Sequence, residues 1–564
     1  MKSHVTSRRD FLRRSSLLAG GAVLGGSLAL HCSRSEFDLI IRGAFVYSGT
    51  GEPPVCTDVG VRGDRIVAVE ALTGRKAREV VEADGLALAP GFIDVHGHTD
   101  LELFVDGRAQ SKVQQGVTTE VSGNCGASPF PLVGAVGEQR KQRWAQRYRK
   151  VATWTDAAGF LEALERVGIA YNYATLVGHG TLRETVVGEE DRSPNTSELR
   201  EMKRLLNESL DQGALGLSTG LEYAPGAFAT TDEIVELARV LPAFDAVYAT
   251  HMRNEDVYLI EAVEEAIEIG KRANCSVEIS HLKACQPRNW HLVERALSLV
   301  DSAAKEGLVI HADRYPYTAY STTARALFPV WSREGGTEAF VRRLGKASDW
   351  EKISGFVLDK VENLGGWKNI RISDLWSPGR QPWAGRSLLE LASEEHQRPL
   401  DFLRRLMIEE NGQVSVVVFA MSEENLEKIL RYPRTMIGSD GTAREPEGIL
   451  GEGHPHPRSY GTFPRFLGHY VRERKVMPLE EAIRRTSWLP AQKFGLRQRG
   501  KIEPGFYADL VLFDPQTISD RATYADPQRY PVGIELVVVN GTVVVRNGRH
   551  TDARPGLVLR RATV

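Results

Sequence analysis

Between Gly91 and Asp440 short apolar runs alternate with amphipathic stretches, the pattern of repeated strand and helix units. The runs are Gly91–His98, Gly116–Val121, Ala174–His179, Ala214–Ser218, Ala246–His251, Cys275–His281, Leu308–Asp313 and Thr435–Asp440. Their order predicts eight parallel strands with intervening helices, an α/β chain folded as a (β/α)8 TIM-like barrel over residues 91–500. One helix start is sharply marked. Thr230 stands three residues before Glu233 as a capping box, and Ile234, Leu237 and Ala238 follow on one face. A second amphipathic helix is expected over Val257–Lys271. More than 100 residues separate the seventh and eighth runs, far beyond a normal loop, and they end in a capped helix at Ser422–Leu430. An inserted subdomain over about residues 325–430 is therefore expected.

The two ends of the chain have a different texture. Asp38–Gly43 and Val59–Val69 alternate apolar and polar residues between Gly and Asp turns, and Ala508–Asp514 and Ile534–Val545 repeat the pattern. Neither end is long enough for a sturdy core of its own. Residues 36–90 and 501–564 are predicted to pack together as one small β-sandwich.

Composition adds little to this picture except by exclusion. With 42% hydrophobic and 26% charged residues the chain can bury a substantial core. A net charge of −2 gives no reason to expect a nucleic-acid partner. The cysteines Cys32, Cys56, Cys125, Cys275 and Cys285 are scattered and odd in number, so they are no disulfide framework.

The N-terminus does change the picture. Ser7-Arg8-Arg9-Asp10-Phe11-Leu12-Arg13 carries a twin arginine, followed by the weakly apolar Ser16–Leu30. Residues 1–35 read as a Tat signal peptide, with the Tat export machinery as partner and a periplasmic or extracellular destination. The apolar stretch is too short for a permanent transmembrane anchor, and its four glycines suit a buried helix poorly. Ala29-Leu30-His31 is a poor lipobox, which argues against a lipid anchor at Cys32. Export of an already folded protein suits an enzyme loaded with metal beforehand.

The candidate chemistry lies at the C-terminal ends of the predicted strands, where such barrels carry their active sites. The segment Pro90–Asp100 ends in His96 and His98 at i and i+2, one face of a strand, where two imidazoles can grip one ion. The second run leads into Gly123-Asn124-Cys125-Gly126, the fifth ends in His251, the sixth in His281 and the eighth in Asp440. Each residue alone has a plainer reading: a cysteine as core filler, a histidine as hydrogen bonder, Ser-Asp-Gly as a turn. Six such residues at equivalent positions of one barrel point to a metal centre.

The order of these residues resembles the amidohydrolase superfamily, and longer segments resemble its N-acyl-D-amino-acid deacylase (D-aminoacylase) family. They are Pro90–Asp100, Gln115–Pro129, Gly216–Ala224, Ala249–Arg253, Ser280–Lys283, Tyr315–Tyr317, Gly438–Gly441, His456–Arg458 and Gly461–Arg465. The resemblance implies one zinc ion held tightly by Cys125, His251 and His281. It also implies a second, weaker site at His96, His98 and Asp440, with Cys125 able to bridge. Many superfamily members bridge two metals with a lysine on strand four. Leu217-Ser218-Thr219 offers none here, so a cysteine bridge is the consistent substitute.

Asp440 is implied as the catalytic proton carrier, and Lys283, Tyr315 and Arg458 as the binders of a substrate α-carboxylate. Arg458 is the natural anchor because its planar fork matches a carboxylate. Spacing alone does not separate Tyr315 from Tyr317. His179 receives no role, and His454 and His469 are expected to be structural or solvent-facing.

The implied reaction is hydrolysis of an N-acyl-D-amino acid, a small-molecule substrate, to a carboxylate and a free D-amino acid. A dipeptidase of the same fold, cutting dipeptides with a C-terminal D-residue, would use the same residues. A non-catalytic exported binding protein would be expected to have lost at least one of Cys125, His251, His281 or Asp440, and all four are present.

Overall fold

The computed structural model describes residues 35–561, so Cys32 and all but the last residue of the expected signal peptide lie outside the described residues. The chain begins with β1 (Phe37–Val46), β2 (Val55–Arg62), β3 (Arg65–Val69), β4 (Ala77–Glu82) and β5 (Ala87–Pro90). The two-residue turn Gly63-Asp64, with Gly63 at φ +57°, reverses the chain between β2 and β3. β1 pairs antiparallel with β2 and parallel with β4 and β5.

The barrel follows with β6 (Phe92–Asp94), β7 (Val117–Ser122), β8 (Asn172–Thr175), β9 (Val177–Gly178), β10 (Gly216–Gly220), β11 (Val247–His251), β12 (Ser276–Ile279) and β13 (Ile310–Arg314). The third predicted strand is interrupted at Leu176: β8 pairs with β7, and β9 pairs with β10. Every neighbouring pair is parallel.

The insertion brings β14 (Ala319–Thr323), β15 (Ile370–Leu375) and β16 (Val414–Phe419), an antiparallel sheet in the order β14–β16–β15. It opens at Ala319, ahead of the boundary expected near residue 325, because Ala319–Thr323 pairs along Ser415–Phe419. Phe340, Val357, Leu403 and Val416 belong to a core of its own.

β17 (Thr435–Ile437) then returns beside β13. The ring closes beyond the strand ends, where the Asp440 amide donates to the His96 carbonyl at 2.7 Å and the His98 amide to the Gly441 carbonyl at 3.0 Å. Ile93, Val121, Leu176, Leu215, Ala249 and Met436 fill the barrel interior together with Leu489, Phe494 and Leu496.

The last strands are β18 (Leu510–Phe513), β19 (Ile534–Val539), β20 (Thr542–Arg546) and β21 (Arg549–His550). β18 pairs antiparallel with β5, so strands of both chain ends are joined in one continuous nine-stranded sheet. The period of two divides its residues. Leu510, Leu512 and Leu536 join Leu39, Ile41 and Val59 in a separate core, while Val511, Phe513 and Val537 join the main barrel core. Full burial of each such side chain contributes about 1.5–3 kcal/mol, which docks the terminal sheet against the barrel. Among the described residues no helix is long and apolar enough to cross a membrane.

Candidate metal centre

The expected ligands meet at the C-terminal end of the barrel, but from loops more than from strands. β6 ends at Asp94, so His96 and His98 lie beyond the strand and the simple strand-face geometry does not apply to them. Cys125, His281 and Asp440 hold left-handed backbone at φ +53°, +38° and +51°. Tertiary bonds hold these turns. The buried Lys112 ammonium donates to Asp94 at 2.7 Å, to Ser439 Oγ at 2.9 Å and to the Gly441 carbonyl at 3.0 Å. Asp94 also accepts the Ser439 amide at 2.8 Å, joining the loops that carry His96 and Asp440. Gly97 admits nothing larger between the two histidines, since a Cβ there would lie 1.8 Å from Glu120 Oε1.

Two groups of donors share Cys125: His96, His98, Cys125 and Asp440 in one, and Cys125, His251 and His281 in the other. Within each group all donor atoms lie within 4.8 Å of one another. His251 Nδ1 and His281 Nε2 are 2.9 Å apart, and Cys125 Sγ is 3.5 Å from His281 Nε2 and 3.3 Å from His96 Nε2. His98 Nε2 lies 3.0 Å from Asp440 Oδ1.

Three carboxylates absent from the sequence expectations stand behind the imidazoles. Asp313 Oδ2 is 2.9 Å from His96 Nδ1, Glu222 Oε2 is 3.2 Å from His251 Nε2, and Glu255 Oε1 is 2.9 Å from His281 Nδ1. Each one can hold the proton on the outer ring nitrogen, leaving the inner lone pair for a metal. Asp313 ends the seventh predicted run, and Glu222 and Glu255 follow the fourth and fifth. A position at or just past a strand end is the signal that could have found them.

The protonation of the site fits a cation. Burial resists ionisation of the Cys125 thiol, but His96 and hydrogen bonds from His251 and His281 hold its pKa well below the ordinary range. Burial pulls His98 and His251 down. Asp440 and Cys125 nonetheless bring His98 up to about 9, while Glu255, Cys125 and Glu222 bring His251 up to about 10. Burial opposes ionisation of Glu255 as well, yet Lys283 and the neighbouring imidazoles hold it at about 2. So much negative charge retains protons on imidazoles until a divalent ion replaces them. One thiolate with several imidazoles is a donor set suited to zinc and poor for hard, oxygen-seeking ions.

The proposed substrate-binding residues are distributed unevenly. Lys283 lines the cavity, but its ammonium donates to Glu255 at 2.6 Å. Arg458 also lines it, with Nη1 2.7 Å from Asp440 Oδ2 and its guanidinium 4.9 Å above the Tyr315 ring. Tyr315 is fully buried with its ring under the Arg458 guanidinium, and its hydroxyl has no hydrogen-bond partner. Tyr317 sits farther off under Arg465, its hydroxyl 3.5 Å from the Pro457 carbonyl.

Three histidines outside the donor groups have structural partners. His179 pairs with Glu233 at 2.9 Å, His454 with the Tyr524 carbonyl at 3.0 Å, and His469 with Glu473 at 2.9 Å. The cavity above the ligands measures about 380 Å³ and is walled by barrel loops together with Tyr320, Lys360 and Leu364 of the insertion.

Imidazoles and a thiolate converging at the open end of such a barrel define a metal-dependent hydrolase site of the amidohydrolase kind. Residues 79–311 and 448–545 match the amidohydrolase family profile. The chain is 35% identical to a D-aminoacylase of Alcaligenes xylosoxydans xylosoxydans over 93% of its own length and 98% of the relative. It is also 35% identical to an N-acyl-D-glutamate deacylase of that organism, over 94% and 97%. Among solved structures, an N-acyl-D-glutamate deacylase from Bordetella bronchiseptica with zinc and a phosphonate inhibitor matches at TM-score 0.79 and 34% identity, covering 93% of this chain and 99% of that one. A D-aminoacylase with a binuclear metal centre, described as activated by one metal and attenuated by a second, matches at TM-score 0.78 and 36% identity, covering 93% and 100%. The chain therefore belongs to the amidohydrolase family, in its N-acyl-D-amino-acid deacylase (D-aminoacylase) branch.

Proposed function

We propose that this protein is a zinc-dependent hydrolase that cleaves the amide bond of N-acyl-D-amino acids, releasing a carboxylate and a free D-amino acid. The observation that carries this reading is the complete convergence of Cys125, His251, His281, His96, His98 and Asp440 in a chain matched along nearly its whole length by such deacylases. Cys125, His251 and His281 would hold the tightly bound zinc. His96, His98 and Asp440, with Cys125 as bridge, would form a weaker second site. When bound, zinc lowers the pKa of water and polarises an amide carbonyl.

The protein's own groups supply the rest. Asp440 takes the proton of the attacking water and delivers it to the leaving amine nitrogen. Arg458 and Lys283 receive the α-carboxylate of the substrate, and the unpartnered Tyr315 hydroxyl completes that set. Asp313, Glu222 and Glu255 keep three imidazoles aimed inward. The insertion, opening at Ala319 and lining the cavity through Tyr320, Lys360 and Leu364, shapes the pocket for the rest of the substrate.

A panel of N-acetyl-D- and N-acetyl-L-amino acids tests the reading. Amine release is expected from the D-series, and equal turnover of the L-series would refute it. Export is a separate part of the proposal. Arg8 and Arg9 support passage through the Tat machinery to the periplasm or beyond. Replacing both (Arg8→Lys with Arg9→Lys) should leave the protein in the cytoplasm, and unchanged export would exclude this route.

A further inference from the structure

Asp440 and Arg458 stand in a wall with a cavity on each side. In front is the cavity of about 380 Å³ above the candidate ligands. Behind is a smaller one of about 170 Å³, between the loop that follows β17 and the antiparallel sheet of the insertion. His98, Ser321, Asp440 and Arg458 line both, so the 2.7 Å contact of Arg458 Nη1 with Asp440 Oδ2 is part of the partition.

The rear cavity has the walls of a water site. Among the described residues the hydroxyls of Ser321, Ser373, Ser415 and Ser459 have no hydrogen-bond partner in the protein, and they line this cavity without being sealed from it. Ser373 is the extra residue of a bulge, because Ile372 pairs with Val416 while Asp374 pairs with the adjacent Ser415. Bulges re-aim side chains, and this one adds a hydroxyl to the wall. Arg147 ties the two sides of the cavity together, reaching Asp374 of the insertion at 2.5 Å and Glu452 of the loop at 3.4 Å. The Glu452 side chain is 44% exposed, so the cavity meets solvent beside it. Hydroxyls that lack protein partners in a polar space take ordered water, and this volume has room for about five molecules at roughly 30 Å³ each.

We propose that the rear cavity is a water chamber from which Asp440 draws the water consumed in each turnover while substrate fills the front cavity. The proposal rests on the hydrolase reading above, in which Asp440 takes a proton from the attacking water. One water is consumed for each amide cleaved, its oxygen going to the acyl carbon and the proton taken by Asp440 to the amine nitrogen. A substrate seated on Arg458 and Lys283 obstructs the front approach, since both line the front cavity. Asp440 also faces the rear, where replacement water reaches it without passing the substrate.

Filling the chamber tests this without touching the proposed ligands or substrate binders. With the zinc-loaded enzyme and N-acetyl-D-leucine, Ser373→Leu should lower kcat by about tenfold or more while KM stays within about twofold and zinc content is unchanged. Ser373→Ala leaves the space open and should keep most of kcat. Ser415→Leu blocks the same space from the neighbouring strand, and it decides the matter if Ser373→Leu does not fold. Native kcat in a folded leucine variant, or equal losses in Ser373→Ala and Ser373→Leu, overturns the chamber.

A high-resolution crystal structure of the zinc-loaded native protein separates this outcome from failure of the hydrolase reading. It should show ordered water running from Asp440 past Ser373 and Ser415 to the surface at Glu452, whether or not N-acyl-D-amino acids are turned over. A rear cavity without such a chain overturns the proposal.

Discussion

Arg458 Nη1 lies 2.7 Å from Asp440 Oδ2, so the arginine proposed to anchor the substrate touches the carboxylate proposed to move the proton. Burial alone would raise the Asp440 pKa, and Arg458 leads the charges that hold it well below the usual range. Arg458→Ala should therefore do two things. KM should rise by about tenfold or more for the lost charge-assisted anchor. Loss of the guanidinium also lets the Asp440 pKa rise, so the acidic limb of the kcat/KM profile should move to higher pH. A variant with normal KM and an unmoved limb would remove Arg458 from both roles.

Asp440→Asn separates metal holding from proton transfer. Cys125, His251 and His281 do not need Asp440, so zinc content should stay near one ion per chain, while kcat falls by about 10²–10⁴-fold. Metal analysis beside steady-state kinetics reads both. Near-native kcat would exclude Asp440 as the proton carrier.

The carboxylates behind the imidazoles make a prediction about affinity that requires no turnover. Glu255 touches His281 at 2.9 Å and Lys283 at 2.6 Å. Glu255→Gln should weaken zinc binding by about 10–100-fold in competition with a chelator. An unchanged affinity would make Glu255 a partner of Lys283 and nothing more.

A surface pair gives a pH prediction for stability. At the start of the helix Thr196–Asp211, Glu198 completes a capping box with Asn195 and bonds Arg192 at 2.8 Å. Hydrogen bonds from Arg192 and the Asn195 amide lower the Glu198 pKa to about 2 from an ordinary 4.5. A depressed carboxylate stabilises the fold above its unfolded pKa, and that contribution is lost as pH falls from about 4.5 toward 2. Glu198→Gln should lower Tm by about 1–2 °C at pH 7, and the gap to native should shrink as pH falls below about 4.5 and close near pH 2. A gap of unchanged size near pH 2 would contradict the assignment.

Much of the fold was legible because the barrel repeats one local pattern, an apolar run and then an amphipathic helix. The expected helix Val257–Lys271 is Leu259–Ala273. Its start slips because Asn254 Oδ1 accepts the amides of Asp256 and Tyr258 and holds a turn there. The expected capping box at Thr230 is half formed. Thr230 Oγ1 accepts the Glu233 amide, but the Glu233 carboxylate is drawn away to His179 and Arg183.

The convergence of the six candidate ligands was legible because barrel chemistry gathers at strand ends. What local pattern could not carry is set by contacts across the chain. The ring closure between the loops of His96 and Asp440 is one case, and the pairing of Glu222 and Glu255 with the imidazoles is another. Packing alone separates Tyr315, under Arg458, from Tyr317, under Arg465.

The most direct test of the account is metal removal and return with an N-acyl-D-amino acid as substrate. Chelation should abolish amine release, and about one equivalent of zinc should restore it, since Cys125, His251 and His281 form one three-donor set that leaves a position open. A metal-free preparation that still hydrolyses the substrate would contradict the account.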